Sequence, residues 1–403
     1  MPHQIKNPVL IILLFGLFGI LLAACDSAST SSPVSQANST VASTTTQSLA
    51  TTSLATTTTV PFTTIVSTVA PPATVAATTI VPATLVPATT APTTIAATTV
   101  VPATTNAPTP TIQTAVDTSK PRYIAAMRAT KYSSQGIQLG ALYEQTGQYK
   151  ANLISYESDG LKISGLMYVP AGNGPFPLAL VNHGYFDPSN YGPGWDTLRE
   201  LRFFAANGYV TIASDYRNYG SSSKGDNTIQ PGYTHDILNL IEAAKQTSYI
   251  DKNKITIMGH SMGGEITLDV LVVSRDIKVA ALFGSMSASS EDNYYARRDL
   301  YHSQDTGQFA AYYGTPATNP DSYIKQSPLT YFKDINVPVE VNIGTNDTTT
   351  PPIWSQKIYD ALKAAGKTTE FYTYPGEGHS LNGAAFNLAM QRTLAFFNKA
   401  IGR

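Results

Sequence analysis

An α/β fold built on a mostly parallel, doubly wound sheet is what this 403-residue sequence predicts for its C-terminal part. Three observations carry that prediction. Short apolar segments alternate with longer amphipathic ones from about residue 150 onward, the pattern of a sheet covered by helices on both faces. Of the 53 charged residues, 51 lie after Val116, as do 36 of the 39 aromatic residues, so the packed unit occupies that part of the chain. Finally, a Gly-x-Ser-x-Gly turn falls between a predicted strand and a predicted helix.

The elements follow in order. Segments 151–157 and 161–169 flank Ser158-Asp-Gly160, a hairpin signal that places antiparallel strands at one edge. Segment 177–182 (PLALVN) reads as a short buried strand. Residues 195–207 have helical periodicity and stop at Gly208. Segment 209–214 (YVTIAS) is the next strand. Residues 235–247 form an amphipathic helix with Ile237, Leu238, Leu240 and Ile241 on one face. Strand 254–259 (KITIMG) leads into helix 262–273. Strands 279–283, 337–343 and 369–374 and helices 353–365 and 381–400 complete the alternation. Residues 287–335 interrupt it and hold seven of the 23 tyrosines; they read as a lid inserted over the site.

In such sheets the reacting groups sit on loops beyond the carboxyl ends of the strands, and the sequence puts chemistry at four of them. Gly259-His-Ser261-Met-Gly263 places Ser261 on a strained turn, with glycines where a side chain would strike the neighbouring strand or helix. A serine hydroxyl needs a base and an orienting acid. His379 lies in the loop after the last strand, where a base must enter. Asp347 lies just past strand 337–343, and Ser261…Asp347…His379 is a known chain order for such triads. Glu377 is the nearest rival acid. Of the other histidines, His3 lies in the leader, His183 ends a strand, His235 reads as a surface or capping residue, His260 points away from Ser261, and His302 lies in the insertion. The His183-Gly184-Tyr185 turn predicts an oxyanion hole made by the backbone N–H groups of Tyr185 and Met262. Phe186, Tyr294 and Tyr295 are candidate pocket walls beside Tyr185. Arg297 and Arg298 offer a site for a substrate carboxylate, with surface ion pairs as the favoured reading.

These segments together resemble the α/β-hydrolase fold, and most of all the catalytic domain of the prolyl oligopeptidase family of serine peptidases. They are also similar to dienelactone hydrolases and acetyl esterases. Val181-Asn-His-Gly184, Asp215-Tyr-Arg-Asn-Tyr-Gly220, Ile257–Gly264, Ile343-Gly-Thr-Asn-Asp347 and Gly376-Glu-Gly-His379 carry the resemblance, with Tyr312–Pro316, Asn319–Tyr323 and Ser327–Leu329 in support. It implies a serine hydrolase acting on a short-peptide or small-molecule substrate by two-step acyl transfer. Peptide bonds are the favoured target and carboxylic esters the alternative. Two local departures are Ile343-Gly344 in place of His-Gly, and Thr348–Thr350 before Pro351. The stretch 118–150 is too short for the β-propeller of prolyl oligopeptidases, so their size-gating does not carry over. No metal or cofactor is called for. Activity is expected to fall as pH drops through the histidine range, about 6–7.

The N-terminal part is different material. Residues 9–24 are apolar and follow Lys6, which fits a signal-peptide h-region for a leader of residues 1–24. The run ends Leu22-Ala-Ala-Cys25. This resembles the lipobox of bacterial lipoprotein precursors, and implies a lipidated Cys25 holding the protein on the extracytoplasmic side of the cell membrane. Cys25 is the only cysteine, which excludes a disulfide scaffold. Residues 27–116 contain no charged residue, no glycine and ten prolines, so they cannot build a core; residues 25–117 read as lipid anchor plus extended stalk. Residues 118–403 are the catalytic domain. A net charge of -1 leaves no basic footprint for nucleic acid. The oligomeric state is left open.

Overall fold

Asp159 and Gly160 make a two-residue turn with φ of 53° and 75°, the positive values that let a tight hairpin match the twist of its strands. It joins β2 (Tyr149–Ser158) to β3 (Leu161–Pro170) in unbroken antiparallel register, as the sequence predicts. The computed structural model describes residues 116–403. The predicted signal peptide, the Cys25 anchor and all but the last two stalk positions lie outside the described residues. Asp117 already bonds Lys325 Nζ at 2.8 Å.

Among the described residues one sheet holds nine strands. The others are β1 (Gln138–Gln145), β4 (Phe176–Asn182), β5 (Val210–Ser214), β6 (Ile250–His260), β7 (Ile277–Phe283), β8 (Val339–Gly344) and β9 (Thr369–Tyr374). Their order is β1-β2-β3-β5-β4-β6-β7-β8-β9. Pairing is antiparallel from β1 to β5 and parallel from β5 to β9. The helices are α1 (Ile124–Ala129), α2 (Leu198–Ala206), α3 (Gly232–Ala244), α4 (Met262–Val273), α5 (Ser290–Tyr295), α6 (Thr306–Tyr313), α7 (Pro320–Gln326), α8 (Pro352–Ala364) and α9 (Gly383–Ile401). No helix among the described residues is long and apolar enough to cross a membrane.

Side-chain alternation along the parallel strands sorts two cores. Leu178, Leu180, Ile255 and Ile257 face one core with Ile237 of α3, Ile266 of α4 and Ile358 of α8. Ala179, Val181 and Met258 face the other with Phe204 of α2 and Phe397 of α9. Phe204 and Phe397 stack at 5.4 Å, and burying such a side chain is worth about 1.5–3 kcal/mol. The chain leaves β4 for α2 on one face and leaves β6 for α4 on the other. β4 and β6 are neighbours, so a crevice opens beyond their carboxyl ends.

Four features differ from the sequence reading. β1 and α1 carry no clear signal: β1 is a short, twice-interrupted edge strand whose Leu139, Leu142 and Tyr143 stay exposed rather than marking a buried face. The helix expected over 195–207 starts only at Leu198, because Asp196 (φ 68°) is drawn out by its side-chain bonds. The insertion between β7 and β8, for which the sequence suggested no elements, is built mainly of short helices joined by turns. His235 is not a surface residue. It is buried, its Nδ1 lies 2.9 Å from Asp159 Oδ2, and Tyr132 packs edge-on against it. Its partner is 76 residues away, beyond the reach of any local pattern.

Candidate active site

Ser261 lies between the last residue of β6 and the first of α4, with φ 57° and ψ -120°. A non-glycine residue holds such a conformation only where its surroundings impose it. Here Ser261 N–H donates to the Phe283 carbonyl (3.0 Å), and the Ser261 carbonyl accepts from Gly264 (2.9 Å) and Met286 (3.1 Å). A Cβ at 259 would overlap the Gly263 carbonyl, and one at 263 the Asn182 carbonyl. Both glycines are therefore required, as predicted, by α4 and by β4 respectively.

The loops bearing Asp347 and His379 meet beside this turn. Asp347 is buried, and its Oδ2 lies 2.8 Å from His379 Nδ1. Its Oδ1 accepts from the amides of Thr349 (2.9 Å) and Thr350 (2.8 Å). Burial pushes the Asp347 carboxyl up, but the His379 bond and these amides outweigh it and hold the group below its ordinary value. Thr350 Oγ1 is 2.8 Å from both Asp347 Oδ2 and the Gly284 carbonyl. A Cβ at 284 would come 3.0 Å from Asp347 Oδ2 and 3.2 Å from His379 Nδ1. Residue 283 is the one that bonds Ser261, so the Asp–His pair sits one residue from the elbow. No hydrogen bond joins Ser261 Oγ to His379 in this arrangement. That contact is often loose before substrate binds.

The turn after β4 faces Ser261 from the other side. A Cβ at 184 would lie 3.1 Å from Ser261 Cβ. His183 is fully buried, stacked on Tyr216 at 4.3 Å, and burial lowers its pKa, which favours the neutral ring. The amides of Tyr185 and Met262 donate to no other group among the described residues. Tyr185 is 69% exposed, while Phe186 is half-buried, 6.2 Å from Trp195.

The insertion reaches the site at two points. Arg297 Nη2 bonds Glu265 Oε2 (2.6 Å) on the first turn of α4, and Tyr301 Oη donates to the Thr349 carbonyl (2.8 Å) in the Asp347 loop. Tyr294 is buried against Phe309 and Tyr323 and packs within the insertion; Tyr295 lies beneath Arg298 at 4.9 Å. Arg297 and Arg298 are spent on ion pairs, as expected.

One cluster has no signature in the sequence. His260 does not merely point away from Ser261: its ring lies 4.5 Å from that of His379, and its Nδ1 is 2.7 Å from Asp196 Oδ2. Asp196 sits outside every motif and 64 residues from His260, so only the fold discloses the pair. A cleft lined by Asp196, Glu200, His260, His379 and Phe386 opens behind the two imidazoles, and Ser261 does not line it. Among the described residues no group of three or more His, Cys, Asp or Glu is placed to hold a metal ion.

Residues 195–403 match the prolyl oligopeptidase family. Dipeptidyl aminopeptidase BIII of Pseudoxanthomonas mexicana is 25% identical over 235 residues, 55% of this chain and 33% of that protein. The uncharacterised peptidase YtmA of Bacillus subtilis is 26% identical over 224 residues, 55% of this chain and 82% of that one. The acetyl xylan esterase from Paenibacillus sp. R4 shares the fold with a TM-score of 0.52 at 18% identity, covering 69% of this chain and 92% of that chain. The chain spans about a third of the length of several curated relatives it matches.

Proposed function

The chain belongs to the prolyl oligopeptidase family, and on that premise we propose that it is a serine hydrolase cleaving short peptides, with Ser261 as nucleophile, His379 as base and Asp347 as orienting acid. One observation carries the reading: a serine at φ 57° on a strand-to-helix elbow, with a buried Asp347–His379 pair closing at 2.8 Å beside it.

The Ser261 hydroxyl attacks the acyl carbonyl carbon as His379 Nε2 takes its proton. Asp347 fixes the Nδ1–H tautomer and stabilises the resulting imidazolium. The N–H groups of Tyr185 and Met262 receive the oxyanion at the positive end of α4; losing one such donor costs about 10²–10³ in rate. Collapse passes the proton from His379 to the leaving group and leaves an acyl-serine. Water, deprotonated by His379, then releases the acid. The insertion acts as a lid, pinned by Arg297 and Tyr301, and Phe186 lies on the substrate side of the turn.

Ester hydrolysis is the second reading. The acetyl xylan esterase likeness favours it, because it spans nearly all of that enzyme. So does the use of residues 116–150, which build α1 and the edge strand β1 of the hydrolase itself. Side-by-side kinetics on aminoacyl-anilides and p-nitrophenyl acyl esters decide between them. Ester turnover with no anilide cleavage would remove the peptidase reading, and Ser261→Ala should abolish whichever activity is found. Anchoring through a lipidated Cys25 belongs to the same proposal. Cys25→Ser should move the protein from the membrane to the soluble fraction, and an unchanged distribution would refute the anchor.

A further inference from the structure

We propose that Asp196 and His260 are positioning residues, tying the loop that bears the base to the turn that bears the oxyanion donor. The proposal rests on the roles given above to Ser261 and His379.

A single relay of bonds runs between the two halves of the site. Gly184 N–H donates to Asp196 Oδ2 at 2.9 Å. The same oxygen lies 2.7 Å from His260 Nδ1, and His260 Nε2 lies 3.0 Å from the carbonyl oxygen of His379. One end of the relay is the residue before Tyr185, against Ser261 Cβ; the other is the backbone of the base. His260 immediately precedes Ser261. Two otherwise independent loops, after β4 and after β9, are thus referenced to one carboxylate and one ring beside the nucleophile.

The chemistry of the partners requires a histidine in a definite state. A carbonyl only accepts, so Nε2 must carry a proton. A carboxylate oxygen facing Nδ1 requires a proton there as well. His260 is therefore an imidazolium, with both N–H groups spent. Burial disfavours that charge, and the Asp196 carboxylate more than restores it, raising the group to about 8. The other titratable or charged groups around it are Glu200, whose Oε2 has no partner, Arg199 at 3.5 Å from Glu200, and His379. Asp196 holds φ 68° to make these contacts, a conformation its surroundings must enforce.

The test uses the full-length protein with p-nitrophenyl acetate, following kcat and KM separately, with a thermal melt to confirm folding. His260→Ala should lower kcat by up to about 10²-fold, the cost of misplacing a reacting group by about 1 Å, with KM nearly unchanged. His260→Gln, whose amide nitrogen reaches the Nε2 position, should recover most of the loss. His260→Asn, whose amide reaches only the Nδ1 position, should not. Asp196→Ala should match His260→Ala. A kcat for folded His260→Ala within about twofold of wild type overturns the proposal. If His260→Ala does not fold, the Gln and Asn variants decide, and equal kcat values in the two overturn it. Ser261→Ala is run alongside. If it is dead while His260→Ala is unimpaired, the positioning role alone fails; if it keeps full turnover, the reading of the site fails and takes the positioning role with it.

Discussion

Two histidine–aspartate pairs lie within stacking distance of each other, and only one has a nitrogen to spare. His379–Asp347 and His260–Asp196 are almost the same contact, 2.8 Å and 2.7 Å from Nδ1 to a carboxylate oxygen. They differ at the other ring nitrogen. His260 Nε2 is committed to the His379 carbonyl, whereas His379 Nε2 has no partner among the described residues. They differ also in what else each carboxylate does. Asp347 is saturated by the amides of its own loop, while Asp196 reaches across to Gly184. On the proposed roles, the pair whose second nitrogen stays free is the base and the pair whose second nitrogen is spent is the brace.

Substitutions in the first pair should therefore cost far more than those in the second. His379→Ala should lower kcat by roughly 10⁴–10⁶, the range seen when the acting base of a triad is removed. Asp347→Asn keeps the shape but permits the wrong tautomer, and should cost about 10⁴ in kcat. Steady-state kinetics check both, and a loss below about tenfold for either would erase the distinction between the pairs. The second pair, with its smaller effect on kcat, should also show itself in stability. With its pKa raised, His260 contributes stability that is fully present below pH 6.5 and lost as pH rises through about 8. Glu200, pushed up by burial to about 7, slopes the same way at lower pH, so the comparison is made above pH 7. The melting temperature should decline between pH 7 and about 8.5, and His260→Gln should flatten that decline. Equal slopes in the two proteins would contradict a charged His260.

Much of the first pair was legible in the sequence and none of the second. Ser261 and Asp347 each follow a strand with a clear apolar run, His379 follows the aromatic-rich edge strand TEFYTY, and the glycines at 259 and 263 mark the elbow. The parallel strands and their helices were legible for the same reason: burial on both faces writes continuous apolar segments. β1 was not, because an exposed edge strand has no such segment. Asp196 was hidden inside an apparent helical pattern, which its side-chain bonds override for three residues before α2 begins. His235 and His260 owe their places to carboxylates 76 and 64 residues away, and no spacing rule reaches that far.

The most direct test of the central claim is intact-mass measurement after treating the full-length protein with a fluorophosphonate. One covalent adduct is expected, located on Ser261, that disappears in a folded Ser261→Ala variant. An adduct that survives this substitution, or a folded wild-type protein that takes up no label, would contradict it.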